Sequence, residues 1–141
     1  MRLATSLDNP DRLHFLGHRE NKGDVLDAMD VFVVTSDREG MSNAMLEAMA
    51  FGLPIVSTPV SGAGEALLPE SNGSAPGLIT QFDEDSIAAA IENLLADPDK
   101  RRSMGETAAR VAATRFSLDR MLDQWEEVLG STRHYGIPAI A

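Results

Sequence analysis

The chain has 141 residues, enough for one domain with one core. Its 22 acidic residues against 12 basic ones give a formal charge of −10, which argues against nucleic acid as the main partner, because duplex binding needs clustered Lys and Arg. It contains no cysteine, which excludes disulfides, thiolate metal sites and a thiol nucleophile, and no apolar run nears the roughly 20 residues of a membrane span.

Residues 1–9, MRLATSLDN, lack the apolar core of a signal peptide, so the expected setting is cytoplasmic, at most peripheral to the inner membrane face. The first seven residues read as the tail of a helix without its beginning, and DNPD makes a turn around Pro10. Arg12 to Gly17, RLHFLG, reads as a short strand, with His14 alternating among apolar neighbours as a sheet histidine would. His18 then sits at that strand's carboxyl end, and Lys22 to Met29 reads as a short helix. Val31 to Thr35, VFVVT, has no polar alternation, the mark of a strand covered on both faces of a parallel sheet. Ile55 to Ser57 is a shorter strand introduced by Pro54, Ser61 to Leu68 a turn into a small helix, and Gly77 to Thr80 a last strand. Strands alternating with helices imply right-handed crossovers and a doubly wound sheet.

From Asp83 onward the pattern is helical only. Asp83 or Asp85 caps a helix with Ile87, Ile91, Leu94 and Leu95 on one stripe; Asp97-Pro98 starts a second that carries the basic cluster Lys100-Arg101-Arg102 as a solvated face. Ser117 opens a third, with Leu118, Met121, Leu122, Trp125 and Leu129 on one face as core or inter-domain contact, ended by Gly130. Residues 1–130 form the expected domain and 131–141 a loosely held tail that includes His134. Three scattered histidines, none with an i, i+4 carboxylate, make no metal site.

The chain is organised around Asp30 to Thr58, a strand, a glycine loop, a helix and a second strand. In an open α/β sheet, ligands bind outside the carboxyl ends of the strands, where Thr35 to Gly40 lies. Met41, Ser42, Asn43 and Ala44 open the helix, with Ser42 as N-cap, and a helix start offers free N–H groups and a positive dipole end to an anion. Glu39 lies in the loop, and Glu47 lies in MLEAMAF, a run read as apolar all round and therefore buried. An ionised carboxylate there requires a polar partner, either within the protein or from a ligand. An anion site flanked by two hydroxyl-accepting carboxylates suits a sugar nucleotide.

The run Ser36-x-x-Glu39-Gly40-x6-Glu47-Ala48-Met49-Ala50-x-Gly52-x-Pro54-x-Val56 resembles the signature of retaining glycosyltransferases of group 1 (family 4). Arg12 to Gly17 resembles an earlier strand of their C-terminal domain, and Asp30 to Ser36 their "DVFV-PS" strand, with Thr35 where proline is common. Gly77 to Thr80, the helix after Asp83, Met104-Gly105 and Phe116-Ser117 resemble the closing elements, so the likeness covers nearly the whole chain. It implies an α/β fold: a Rossmann-like parallel sheet forming an incomplete GT-B C-terminal domain, followed by C-terminal helices. It also implies a nucleotide-diphosphate sugar as donor, retention at the anomeric carbon assisted by the leaving phosphate, and no metal or other cofactor. Glu39 would be catalytic and face the sugar hydroxyls, Gly40, Met41, Ser42 and Asn43 would hold the sugar or diphosphate, and Glu47 would accept from the ribose hydroxyls. His18 is a further cleft candidate. The Glu-Gly-Met-Ser-Asn variant is most similar to enzymes of surface-polysaccharide or glycolipid assembly.

The chain departs from this pattern at Val60-Ser61-Gly62-Ala63-Gly64-Glu65, where the family shows Gly-Gly-x-x-Glu, so one glycine is absent or displaced and Glu65 is the candidate equivalent. The family's Arg and Lys that neutralise the diphosphate, and its acceptor domain, lie upstream of the residues matched. The chain therefore resembles the last part of a longer enzyme, and a binding-only or interaction module is the alternative function. A flavodoxin-like regulator is disfavoured, because no acidic triad or switch lysine is evident. In the order 3-2-1-4-5-6, strands 12–17 and 31–35 are separated by two absent ones. That leaves an open edge, a direct pairing of the two or closure by another chain, and the expectation is a homodimer through that edge or a rearranged sheet.

Overall fold

The computed structural model describes residues 9–132. Residues 1–8 and 133–141, the latter holding His134 and most of the expected tail, lie outside them.

Among the described residues three short parallel strands form one sheet in the order β1-β2-β3, with β1 at Phe32–Val34, β2 at Ile55–Ser57 and β3 at Gly77–Ile79. Phe32 stands opposite Ile55, and Ile55 opposite Gly77. Among the described residues the α-helices are α1 Gly23–Asp27, α2 Asn43–Ala50, α3 Ser61–Ala66, α4 Glu84–Ala96, α5 Pro98–Arg115 and α6 Leu118–Thr132. Alternation along β2 explains its continuous apolar run. Ile55 enters a core shared with Met45, Ala48 and Met49 of α2 and Val111 of α5, while Val56 enters a smaller cluster with Leu94 of α4 and Met104. The sheet is thus covered on both faces, as a parallel sheet requires, and the α/β Rossmann-like reading holds.

Helix ends follow local chemistry. Asp97 caps α5 by accepting from the Lys100 N–H at 2.9 Å, with Pro98 in the first turn. At the end of α2, Gly52 takes φ +76, its N–H donates to Met49 C=O at 2.9 Å, and the Leu53 N–H reaches Ala48 C=O at 3.1 Å. That paired pattern needs the left-handed conformation that glycine adopts without strain, and it turns the chain straight into β2.

Asp83 caps α4, its carboxylate accepting from the backbone N–H and the hydroxyl of Ser86, each at 2.8 Å. These hydrogen bonds, the backbone one first, hold its carboxyl below its ordinary range. A depressed pKa gives stability that is present above the unfolded value and lost as pH falls through the folded one. Asp83→Ala is therefore expected to melt below the parent at neutral pH, the gap narrowing as pH falls through the acid range in which the carboxylate protonates, whereas Asp83→Asn keeps a neutral cap throughout. Thermal melts across that range check it; a gap that persists unchanged at low pH contradicts the linkage.

Several expectations are corrected. Arg12 to Gly17 is no strand: Pro10–Arg12 forms a 3-10 turn, and residues 13–19 have no regular structure. Leu13, Phe15 and Leu16 are exposed, and so is His14, which is not a sheet histidine. The physical reason is the ladder: an extended segment becomes a strand by hydrogen-bonding to a neighbour, and among the described residues no strand lies beside this one. β1 does not pair directly with residues 12–17, and among the described residues no strand lies on its outer edge. Leu95 is exposed rather than part of the α4 stripe. Arg101 is not merely solvated, since its guanidinium donates to Leu94 C=O at 3.0 Å and Leu95 C=O at 3.2 Å, closing the end of α4. Finally, α6 continues through Gly130, and of the two roles expected for its apolar face the core is excluded among the described residues, where Leu118, Met121, Leu122 and Trp125 are exposed, while an inter-domain contact stays the expectation.

Candidate functional site

The site grows from the carboxyl end of β1. The Thr58 N–H, just past β2, donates to Val34 C=O at 3.0 Å, and its hydroxyl donates to Ser36 C=O at 2.5 Å. The loop that leaves β1 is therefore tied to the neighbouring strand at its first turn. At its far end Ser42, buried, accepts from the Met45 N–H at 3.3 Å and caps α2 as expected. Between these two anchors α3 seats its first turn on the loop: the Gly62 N–H donates to Gly40 C=O at 3.1 Å. A Cβ on residue 62 would lie 2.3 Å from that oxygen and 2.7 Å from Met41 Cα, so only glycine permits the approach. Gly62 and Glu65 keep the spacing of the Gly-x-x-Glu element, and the first glycine's place is held by Ser61.

Glu39 is half-buried and forms no ion pair among the described residues. It lines a cavity of about 490 Å³ with Gly40, Pro59, Val60 and Ser61. Arg19 does not pair with it and donates instead to Leu16 C=O at 3.1 Å. Met41 packs half-buried against the main core, while Asn43 is exposed at the start of α2, where the first N–H groups have no intrahelical acceptor.

Glu47 is not buried. Its side chain is 42% exposed, because α2 has a wet face after all, made of Asn43, Ala44 and Ala50. Alanine counts as apolar in the sequence but is small enough to face water at little cost, so the apolar run overstated the burial. The polar partner is Lys22, whose ammonium donates to both carboxylate oxygens at 3.1 Å. Glu47 and Lys22 line a cavity of about 310 Å³ with Gly17, His18, Arg19 and Ala44. His18 is thus brought beside Glu47, whereas Glu39 faces a separate cavity. Glu65 lines neither; it is exposed on α3, and its backbone C=O accepts from Arg115 at 2.9 Å. Sequence reasoning missed Lys22, which lies 25 residues from Glu47 and carries no local signal. Among the described residues no cluster of His, Asp or Glu could hold a metal ion, and no helix is long and apolar enough to cross a membrane.

Residues 2–97 match the family model of the group 1 glycosyl transferases. The chain is 32% identical over 130 residues to a lipopolysaccharide core biosynthesis glycosyltransferase, LpsE, of Rhizobium meliloti, covering 92% of this chain and 37% of that protein. It is 30% identical over 128 residues to N-acetyl-alpha-D-glucosaminyl L-malate synthase of Bacillus anthracis, covering 91% and 33%. Among solved structures, the sucrose-phosphate synthase of Thermosynechococcus elongatus superposes with TM-score 0.85 at 25% identity, over 96% of this chain and 34% of that one. Anabaena HepE in complex with UDP gives 0.82 at 28% identity, over 92% and 35%. The chain spans about a third of the length of the relatives it matches. Matched over more than half its length by the family model, and built on a doubly covered parallel sheet, the chain belongs to the group 1 glycosyl transferases.

Proposed function

We propose that the chain is the donor-binding part of a retaining glycosyltransferase that takes its sugar from a nucleotide-diphosphate sugar, in polysaccharide or glycolipid assembly at the cytoplasmic side of a membrane. The observation that carries it is the placing of two carboxylates, Glu39 and Glu47, around one loop and helix start fixed by Thr58, Ser42 and Gly62. In this reading the N–H groups of Gly40, Met41, Ser42 and Asn43 face the diphosphate, which a helix start favours. Glu39 accepts from hydroxyls of the transferred sugar and steers its anomeric carbon, while Glu47 accepts from the ribose hydroxyls. His18 borders the ribose, and Glu65 takes a lesser part from α3. The leaving phosphate assists departure of the nucleotide, without a metal. Support comes from the family and from the UDP and UDP-glucose complexes of a structural neighbour.

Titration with UDP- and GDP-sugars, followed by NMR at the amides of residues 40–47, tests the reading. Glu47→Gln is expected to weaken nucleotide and nucleotide-sugar binding about 10- to 100-fold, the scale of a lost charged hydrogen-bond acceptor. Glu39→Gln is expected to weaken the nucleotide sugar while leaving the bare nucleotide unchanged. Absence of binding by every nucleotide tried, or equal binding by Glu47→Gln, removes the reading. A second reading, a binding-only module whose β1 edge pairs with another copy, draws on that edge, unpaired among the described residues. Binding without transfer, together with a dimer in sedimentation velocity, favours it.

A further inference from the structure

We infer that Lys22 is an internal cap on Glu47, which a ribose diol must displace to bind. The inference rests on the ribose role proposed for Glu47. The Lys22 ammonium lies 3.1 Å from each oxygen of the carboxylate, so it sits near the line that bisects the group. A cis-diol that gives one O–H to each oxygen needs that same place. The carboxylate has further lone pairs, but only this approach lets one ligand reach both oxygens at once.

The surroundings make Lys22 a movable cap and leave the backbone beneath it fixed. The Lys22 C=O accepts from the N–H groups of Val25 and Leu26 at 3.2 and 3.0 Å, and Asn21 Oδ1 accepts from the Gly23 N–H at 3.1 Å. The side chain reaches out from this anchored start of α1 on a flexible four-carbon stem and is 66% exposed. An ion pair between groups this wet is weak and opens at small cost. Arg19, the other cation of strong base in the cavity, is held by Leu16 C=O and does not compete for Glu47. The capped site therefore has a recognisable sign: removing a cation should improve the binding of a neutral ligand.

The probes are uridine, guanosine and adenosine, which carry the diol without phosphate, beside their 2′-deoxy forms. The readout is NMR titration of the 141-residue chain. Lys22→Met is expected to tighten a ribonucleoside about two- to fivefold, the range set by an exposed ion pair, and to leave its deoxy form unchanged. Raising salt from about 0.05 to about 0.5 M should tighten ribonucleoside binding to the parent by a similar factor and leave Lys22→Met unaffected, because salt screens the cap and not the neutral ligand. Lys22→Arg, whose planar fork matches a carboxylate, should bind no better than the parent. Ribonucleoside binding that weakens or stays level in Lys22→Met overturns the cap while leaving the donor-site reading intact. If no nucleoside binds either protein, the ribose role of Glu47 fails, and the cap with it.

Discussion

Gly62→Ala is expected to lower the thermal midpoint and to weaken nucleotide binding in the same protein. In most exposed helix positions the change stabilises, because alanine propagates a helix better than glycine by about 0.8–1.0 kcal/mol. Here the new Cβ would meet Gly40 C=O at 2.3 Å and Met41 Cα at 2.7 Å, both backbone atoms that cannot rotate away. Either α3 or the loop must move, at a cost of about 1–3 kcal/mol for overpacking, and the loop is the element that carries Glu39. Gly64 is the matched control on the same helix, since a Cβ there meets nothing within 4 Å. Gly64→Ala should raise the midpoint slightly and leave binding unchanged. Should Gly62→Ala instead match Gly64→Ala in both melts and titrations, the close approach has no energetic weight.

The second large effect lies in the core. Met49 is fully buried on α2, in the cluster formed by α2, β2 and α5. Met49→Ala removes a long side chain from a site enclosed on all sides, and such changes cost about 2–5 kcal/mol. Against a total stability of about 5–15 kcal/mol, that is a large share, and a fall of about 10 °C or more in the midpoint follows. Met49→Leu conserves volume and should cost less than about 1.5 kcal/mol. Calorimetry on the two variants decides the matter; an alanine variant that melts within about 2 °C of the parent would mean that the cavity refills by collapse.

Legibility in the sequence followed the range of the interaction. Ser42, Asp83 and Asp97 were readable as caps because a cap binds an N–H three residues away. β1 and β2 were readable because burial on both faces leaves an unbroken apolar run. The segment from Arg12 to Gly17 has the composition of a strand, but composition does not supply a neighbour, and without one it forms no ladder. Glu47 was misjudged because its alanine neighbours look apolar in a string yet face water on the helix. Lys22 was invisible, since its pairing with Glu47 exists only once α1 and α2 are packed. The stripe of α6 was legible as a face, while what lies against that face is not a local property.

The Thr58 hydroxyl bond to Ser36 has a consequence for binding thermodynamics. A loop left slack would have to be ordered by its ligand, at about 1–2 kcal/mol for each residue whose backbone is fixed. With Ser36 held by β2, Gly40 by α3 and Ser42 by its own helix, that ordering is completed when the chain folds. Ligand contact energy at this loop can then appear as affinity, with little drained into restraining the backbone.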